Sequence, residues 1–537
     1  MDSNKRVILA VSLSLMVLLG WNYFFPSVTP LETATQNVTS PNQTVASAPE
    51  AGTQAAPSVS AAPTVQFSPV QGEKLTIETP LYHAVINSAG GVLESFVLKA
   101  YKETIAKDSK NIDLVTAQSV TKAPMGLIWN AQPTWAQGEW SVQGGDLNLA
   151  DGQSGSIQLL GTLGGVKIAR TLTFTGGSYE IKEEVKVTNT SAAQLQGNLA
   201  FSVSSGSLTA ESDKYNHTKI AYMAAGSLEQ EDSAKDLQLG VESAVPAQWG
   251  GIESNYFLLA LVPTSADMVV RAKLEDSVYR LTVADQLLLD PGITQLRTAS
   301  YYFGPKTTHD MAALPKNLQA SINYGFFDII AKPLNQFLHF LHSYVGNYGV
   351  AIIILTIIIK VLFWPLSHKS YKSMEQMKKL QPMMAKIREK YADDREKMNS
   401  EIMQLYKTYK VNPAGGCLPM LMQIPVFFAL YQALLGAIEL RHAAFIPHLP
   451  FTDMVWLADL SAKDPYYITP LIMGATMFLQ QRMSPPMGDP MQAKIMMFMP
   501  VIFTFMFLNF PAGLVVYWLV NNVLSIGQQW LMIRKSK

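Results

Sequence analysis

The sequence predicts a polytopic α-helical membrane protein of six transmembrane helices, joined to a water-facing β-sandwich domain. Three observations carry this prediction. Hydrophobic residues make up 48% of the 537 residues and charged residues only 15%, against about 25% charged in a typical globular chain. Apolar runs long enough to cross a bilayer recur in the final third of the chain. Before them lies a long stretch in which apolar and polar residues alternate, the period of half-buried strands. Other classes find no support. Forty-one basic residues balance 41 acidic ones, so no global field attracts nucleic acid, and no specific nucleic-acid recognition is expected. Cys417 is the single cysteine, which rules out a disulfide within one chain. The eight histidines are scattered. No metal-ligand cluster, nucleotide loop, catalytic triad or paired carboxylate site is seen, so no catalytic residue, metal or cofactor is expected.

The first apolar run, VILAVSLSLMVLLGWNYFF, follows Lys5 and Arg6. A cleaved signal peptide would end in small residues, but here Trp21, Tyr23, Phe24 and Phe25 follow. Aromatics at this place suit an uncleaved anchor over residues 1–25. Residues 26–71 are Pro, Ser, Thr, Ala and Gln with few charges, which reads as a disordered linker. Its N-x-T sequons at Asn37 and Asn42 are read as unglycosylated, because the chain looks like a bacterial envelope protein. Residues 72–315 read as the β domain. The clearest passage is RTLTFTGGSYEIKEEVKV from Arg170, two alternating runs around Gly176 and Gly177, a hairpin signal. Residues 316–344 carry Phe327, Ile330, Leu334, Phe337, Leu338 and Leu341 at helical spacing, with Asp328, Lys332, Asn335 and His339 between them. An amphipathic helix on the outer membrane surface fits, as does a core helix of the preceding domain.

Five further spans follow within 345–533: 345–366, 417–440, 467–481, 495–510 and 513–533. With the anchor they number six, which returns the C-terminus to the side of the N-terminus. The basic residues agree with the positive-inside rule. Lys5 and Arg6 stand at the start, Arg482 and Lys494 in the second cytoplasmic loop, and Arg534, Lys535 and Lys537 in the tail 534–537. The first cytoplasmic loop, 367–415, is rich in Lys and Arg. Met374, Met377, Leu380, Met384 and Ile387 recur at helical spacing, and Ile402, Leu405 and Tyr406 do so after a break at residues 392–394. This is a helical hairpin. Two readings stay open: a solvated loop that only sets topology, or a docking site in which Lys378, Lys379, Lys386 and Arg388 meet ribosomes, targeting factors, anionic lipid or nascent chains.

Lys360 is the most informative residue, because it interrupts the run IIILTIIIKVLFWP. An ionisable residue within a span faces a wet cavity or a partner, unless it snorkels to the nearer surface. Thr356 lies one turn earlier on the same face. Gln423 sits in the next span between Pro419 and Pro425. In the last span Tyr517, Asn521, Ser525 and Gln528 form one polar stripe. Either these residues line a common groove or they hydrogen-bond helices together. No acidic residue lies deep in these spans to pair with Lys360. Methionines are abundant in the final third, a pattern that ordinary lipid-facing and packing use explains.

Three motifs resemble the YidC membrane protein insertases: VNPAGGCLPMLMQIPVFFALY from Val411, DPYYITPLIMGATMF from Asp464 and KIMMFMPVIF from Lys494. The resemblance covers residues 321–534 strongly and the N-terminal half in layout. It implies an inner-membrane protein that inserts and folds nascent integral membrane proteins, alone or with the Sec translocon, without acting as an enzyme. It implies a conserved five-helix core around a hydrophilic groove open to cytoplasm and lipid but closed to the outside; the span count and basic flanks place both termini in the cytoplasm. It also implies a periplasmic supersandwich with a sugar-enzyme-like fold. The family's groove cation is usually arginine, and Lys360 falls at that position. Lysine keeps the charge but lacks the planar five-donor fork. Outside the resemblance, the alternatives are a secondary transporter with Lys360 in its substrate site, and a carbohydrate enzyme sited in the β domain.

Overall fold

The strand Val166–Thr175 buries every second residue. Its neighbour Glu180–Asn189 does the same, and the two pair antiparallel from Val166–Asn189 to Phe174–Ile181. In this computed structural model, which describes residues 72–209, 213, 215–264, 268–312, 314, 317–409, 411, 418–483 and 490–536, these strands lie within a nine-stranded antiparallel sheet. Sheets of six and five strands accompany it. The connection expected at Gly176 and Gly177 is a four-residue loop rather than a two-residue turn. Tyr179 is buried beneath it, and a Cβ on Gly176 would stand 1.9 Å from the Ala150 carbonyl oxygen.

All three sheets share one apolar core. Phe96 of the five-stranded sheet meets Phe303 of the nine-stranded one, ring centroids 5.6 Å apart. A Cβ on Gly250 of the large sheet would touch Leu281 and Val270 of the six-stranded sheet. A charged residue, Arg170, also lies on this buried face. Its guanidinium pairs with Glu183, donates to the carbonyls of Gly90 and Gly91 beside the five-stranded sheet, and donates to Met125 of the six-stranded sheet at 2.8 Å. Both Arg170 and Glu183 are fully buried. A buried charge persists only when paired and hydrogen-bonded, and here that requirement binds three sheets together.

The C-terminal part is helical. Helix α1 is Asp328–Val345, α2 is Tyr348–Leu362 and α3 is Trp364–Lys390. Helix α4 is Arg395–Thr408, α5 is Leu418–Gly436 and α6 is Ile468–Met483. Helices α7, Pro490–Phe507, and α8, Ala512–Ser536, complete it. Of the amphipathic segment 316–344 only α1 is α-helical; its start holds two short 3-10 turns. The span expected over 345–366 is not one helix. It ends at Leu362, and α3 departs at 62°. Pro365 has no N–H to continue the ladder, and its ring crowds the preceding turn. The span expected over 495–510 is shifted, running from Pro490 to Phe507. Among the described residues no single helix is long and apolar enough to cross a membrane alone; α2 and α3 pass that test only as a bent pair. The anchor 1–25, the linker 26–71, Cys417 and Lys537 lie outside the described residues.

Helix α8 packs against α2, α5 and α6, while α1 packs against α2 and α5. Small residues permit the close approaches. Ala331 of α1 meets Ala429 and Ala433 of α5, and a Cβ on Gly474 of α6 would stand 2.0 Å from Thr504 Oγ1 of α7. The segment after α5 joins the β domain: Ile438 enters its core, and Arg441 donates to the carbonyls of Lys102 and Glu103. Residues 379–412 belong to a separate unit. Within it Asp394 caps α4 by accepting from Lys397 N at 2.9 Å, and Tyr406 reaches Met384 Sδ at 3.5 Å.

Replacing Arg170 with Met is expected to cost about 3–5 kcal/mol, because Glu183 is left buried and unpaired. Adding Glu183→Leu is expected to recover part of this loss. The midpoint of β-domain unfolding in denaturant measures both.

Candidate functional site

Helix α2 is almost wholly apolar, and Lys360 stands two residues before its end. The lysine therefore sits closer to a helix terminus than a span over 345–366 implies. Its side chain nevertheless turns toward the helix cluster. Nζ donates to Asn521 Oδ1 at 3.1 Å and to Ser525 Oγ at 2.7 Å, both on α8. Gln423 of α5 donates to the same Asn521 oxygen at 2.9 Å. One cation and one amide thus join α2, α5 and α8. The i, i+4 spacing of Asn521 and Ser525 is what lets a single Nζ reach both. Ser525 spends its own proton on the Asn521 carbonyl at 2.7 Å, so its lone pairs face the lysine.

The other expected site residues divide. Thr356 is buried on the face it shares with Lys360, but its hydroxyl donates to Ile352 O at 2.6 Å within its own helix. Tyr517 is buried one turn before Asn521 and lies 6.5 Å from the Phe427 ring, so it lines the cluster as a wall. Gln528 is also buried, and neither end of its amide is hydrogen-bonded. Lys378, Lys379 and Lys386 on α3 are exposed and Arg388 is half-buried, while Leu380 and Met384 are buried. Among the described residues Lys360 has only neutral oxygen ligands. Its charge is solvated but not cancelled.

An aromatic cluster lies beyond one end of this site, and the sequence analysis did not anticipate it. Phe427 meets Trp518 at 4.6 Å, Phe507 meets Phe510 at 4.8 Å, and Tyr431 meets Phe510 at 5.8 Å. Tyr215 of the β domain completes it, 5.1 Å from Phe510. Gln423 precedes Phe427 and Tyr431 along α5, and Asn521 follows Tyr517 and Trp518 along the antiparallel α8. The polar residues therefore collect at one end and the rings at the other. The i, i+4 pairs Phe427/Tyr431 and Phe503/Phe507 were visible signals, but their convergence from three helices was not.

Asn521→Leu removes the acceptor that Lys360 and Gln423 share. The expected loss is about 1–2 kcal/mol, the scale of an interhelical polar contact in membranes, read as a lower melting temperature in detergent; Thr356→Val should leave it nearly unchanged.

Comparison with known proteins adds the family. The model described as 60Kd inner membrane protein matches residues 340–537, and that of the YidC periplasmic domain matches residues 74–337. The chain is 55% identical over 537 residues to the membrane protein insertase YidC of Maridesulfovibrio salexigens, covering 99% of each chain. It is 54% identical over 538 residues to that of Nitratidesulfovibrio vulgaris strain DP4, covering 99% of this chain and 100% of the relative. A solved active YidC insertase aligns with 86% of this chain and 94% of its own at 18% identity, with a TM-score of 0.37, too low to add to the assignment. Two family models that between them take in both the β domain and the helical part, together with relatives matched end to end, establish that this chain belongs to the YidC family of membrane protein insertases.

Proposed function

We propose that this protein inserts and folds nascent integral membrane proteins in the inner membrane, using Lys360 as an uncancelled positive charge in a hydrophilic groove. The observation that carries the groove reading is the ligation of Lys360 by Asn521 and Ser525, both uncharged. A lysine paired with a carboxylate would have no net attraction left for a client. One held by an amide and a hydroxyl keeps it, and its neutral ligands exchange for an acidic side chain at modest cost.

In this reading α2, α5, α6, α7 and α8 cross the membrane and, with the N-terminal anchor, make six spans. Both termini lie in the cytoplasm and the β domain in the periplasm. The bend at Phe363 carries the chain out of the bilayer into the basic hairpin. There Lys378, Lys379, Lys386 and Arg388 receive ribosomes, targeting factors or nascent chains, and the Sec translocon is a partner for larger clients. The hydrophilic flank of a client enters at the polar end of the site. Lys360, Gln423, Asn521 and Ser525 replace part of its lost hydration. Tyr517 and the aromatic cluster keep water from running through to the far side. The client's apolar segment then passes to lipid, driven by hydrophobic transfer. No bond is made or broken, and no cofactor is required.

Reconstitution in liposomes tests the charge. A short client with an acidic translocated tail is expected to insert with wild type and Lys360→Arg, and to lose most insertion with Lys360→Ala, while a neutral tail is little affected. Equal insertion by all three would reduce Lys360 to a helix-joining residue. Insertion by none of them, in vesicles holding folded protein, would favour the transporter reading. Asn521→Asp supplies a sharper contrast. It should raise the melting temperature by pairing with Lys360, yet lower insertion of acidic tails by cancelling the charge.

A further inference from the structure

Between α5 and α6 the chain forms a small antiparallel hairpin. Its arms, β1 (Ile446–His448) and β2 (Val455–Leu457), pair through Ile446–Leu457 and His448–Val455. The connection contains a tight turn. Thr452 N donates to Leu449 O at 3.0 Å, Pro450 occupies the second position, and Phe451 the third with φ +68. That is a type II turn, whose third position favours glycine or asparagine because φ must be positive. A phenylalanine there carries conformational strain. It is also the most exposed large hydrophobic of the described residues, at 106% of its reference area. An exposed aromatic ring held in a strained turn points to a contact surface when further exposed apolar residues adjoin it.

The neighbouring residues indicate its chemistry. Met454 and Val455, next along the hairpin, are exposed as well. The second arm is fastened to the start of α6 through Asp464. One carboxylate oxygen accepts from Trp456 Nε1 and Tyr466 N, both at 3.0 Å, and the other from Thr469 N and Oγ1, both at 2.7 Å. At that fastening Tyr466 and Tyr467 are exposed, and Lys463 Nζ lies 5.8 Å from the Tyr467 ring centre. Exposed Leu471 and Ile472 continue from there along α6. A run that passes from apolar helix surface to tyrosines with a lysine is the composition of a bilayer margin.

We infer that the tip of this hairpin, led by Phe451 and Met454, is a lipid-binding element that seats in the interfacial region of the outer leaflet. Asp464 makes it more than a loose loop, since it holds the hairpin against the outer end of α6. The inference rests on the reading of α6 and α7 as membrane-crossing helices, and its test separates the two.

Single cysteines at 451, 454, 239 and 502, placed in a Cys417→Ser background of the full chain, are labelled with an environment-sensitive fluorophore. Phosphatidylcholine vesicles carry a nitroxide either near the glycerol end or near the acyl terminus. Probes at Phe451→Cys and Met454→Cys are expected to lose emission to the shallow nitroxide and to shift to the blue. Leu239→Cys, exposed on the β domain, should do neither. Ile502→Cys, exposed on α7, should lose emission to the deep nitroxide. Quenching at 502 without quenching at 451 or 454 overturns the inference and leaves the spans standing. No quenching at 502 removes both. Glycine suits the strained turn, so Phe451→Gly should fold and reduce shallow quenching at 454, while Phe451→Trp should keep it. Equal quenching in both variants would show that the ring anchors nothing.

Discussion

A cation on an otherwise apolar helix must find oxygen ligands, and much of the helical part follows from how Lys360 finds them. Its ammonium reaches α8 at Asn521 and Ser525, and Asn521 in turn takes Gln423 from α5. Three helices are thus brought to one point, α8 ligating the lysine and α5 joining through the Asn521 oxygen they share. The β domain solves a similar problem differently. There Arg170 is met by a carboxylate and by carbonyls from two further sheets. That charge is cancelled and out of reach, so its role is structural. Lys360 is solvated by neutral groups and only half-buried.

Around this point the packing is close where residues are small and rigid where they are aromatic. Gly474 lets α6 approach α7 to a distance that no side chain would allow. Ala331, Ala429 and Ala433 do the same between α1 and α5. The rings of α5, α7 and α8 gather beyond Tyr517, and Tyr215 of the β domain joins them. Polar side chains thus gather at one end of the helix cluster and aromatic rings at the other.

The segment between α5 and α6 ties these parts together. Ile438 lies in the β-domain core, Arg441 holds the Lys102–Glu103 backbone, and Asn347 at the start of α2 donates to Ala444 and Phe445. Ala512 N and Gly513 N at the start of α8 bond to Ala462 and Leu460. These backbone and side-chain contacts hold the helix ends nearest the β domain.

The sequence by itself determined what depends on local pattern. Alternation announced the β domain, apolar runs announced the helices, and the three motifs announced the family. Lys360 stood out because a charge amid isoleucines is anomalous in any fold, and Asn521 and Ser525 followed from their shared helix face. Tertiary structure alone decided which of the polar residues met. Thr356 shares a face with Lys360 yet turns its hydroxyl back on its own helix, because a β-branched hydroxyl can satisfy itself on the preceding turn. Gln423 joins the lysine only through Asn521, a relay that spacing within one helix cannot encode. The expected span ran through Pro365 to residue 366, whereas the structure breaks it at Phe363 with a bend of 62°. Arg170 looked like one polar residue in an alternating strand. That it is the buried knot of three sheets became evident only when strands distant in sequence were brought to the same face.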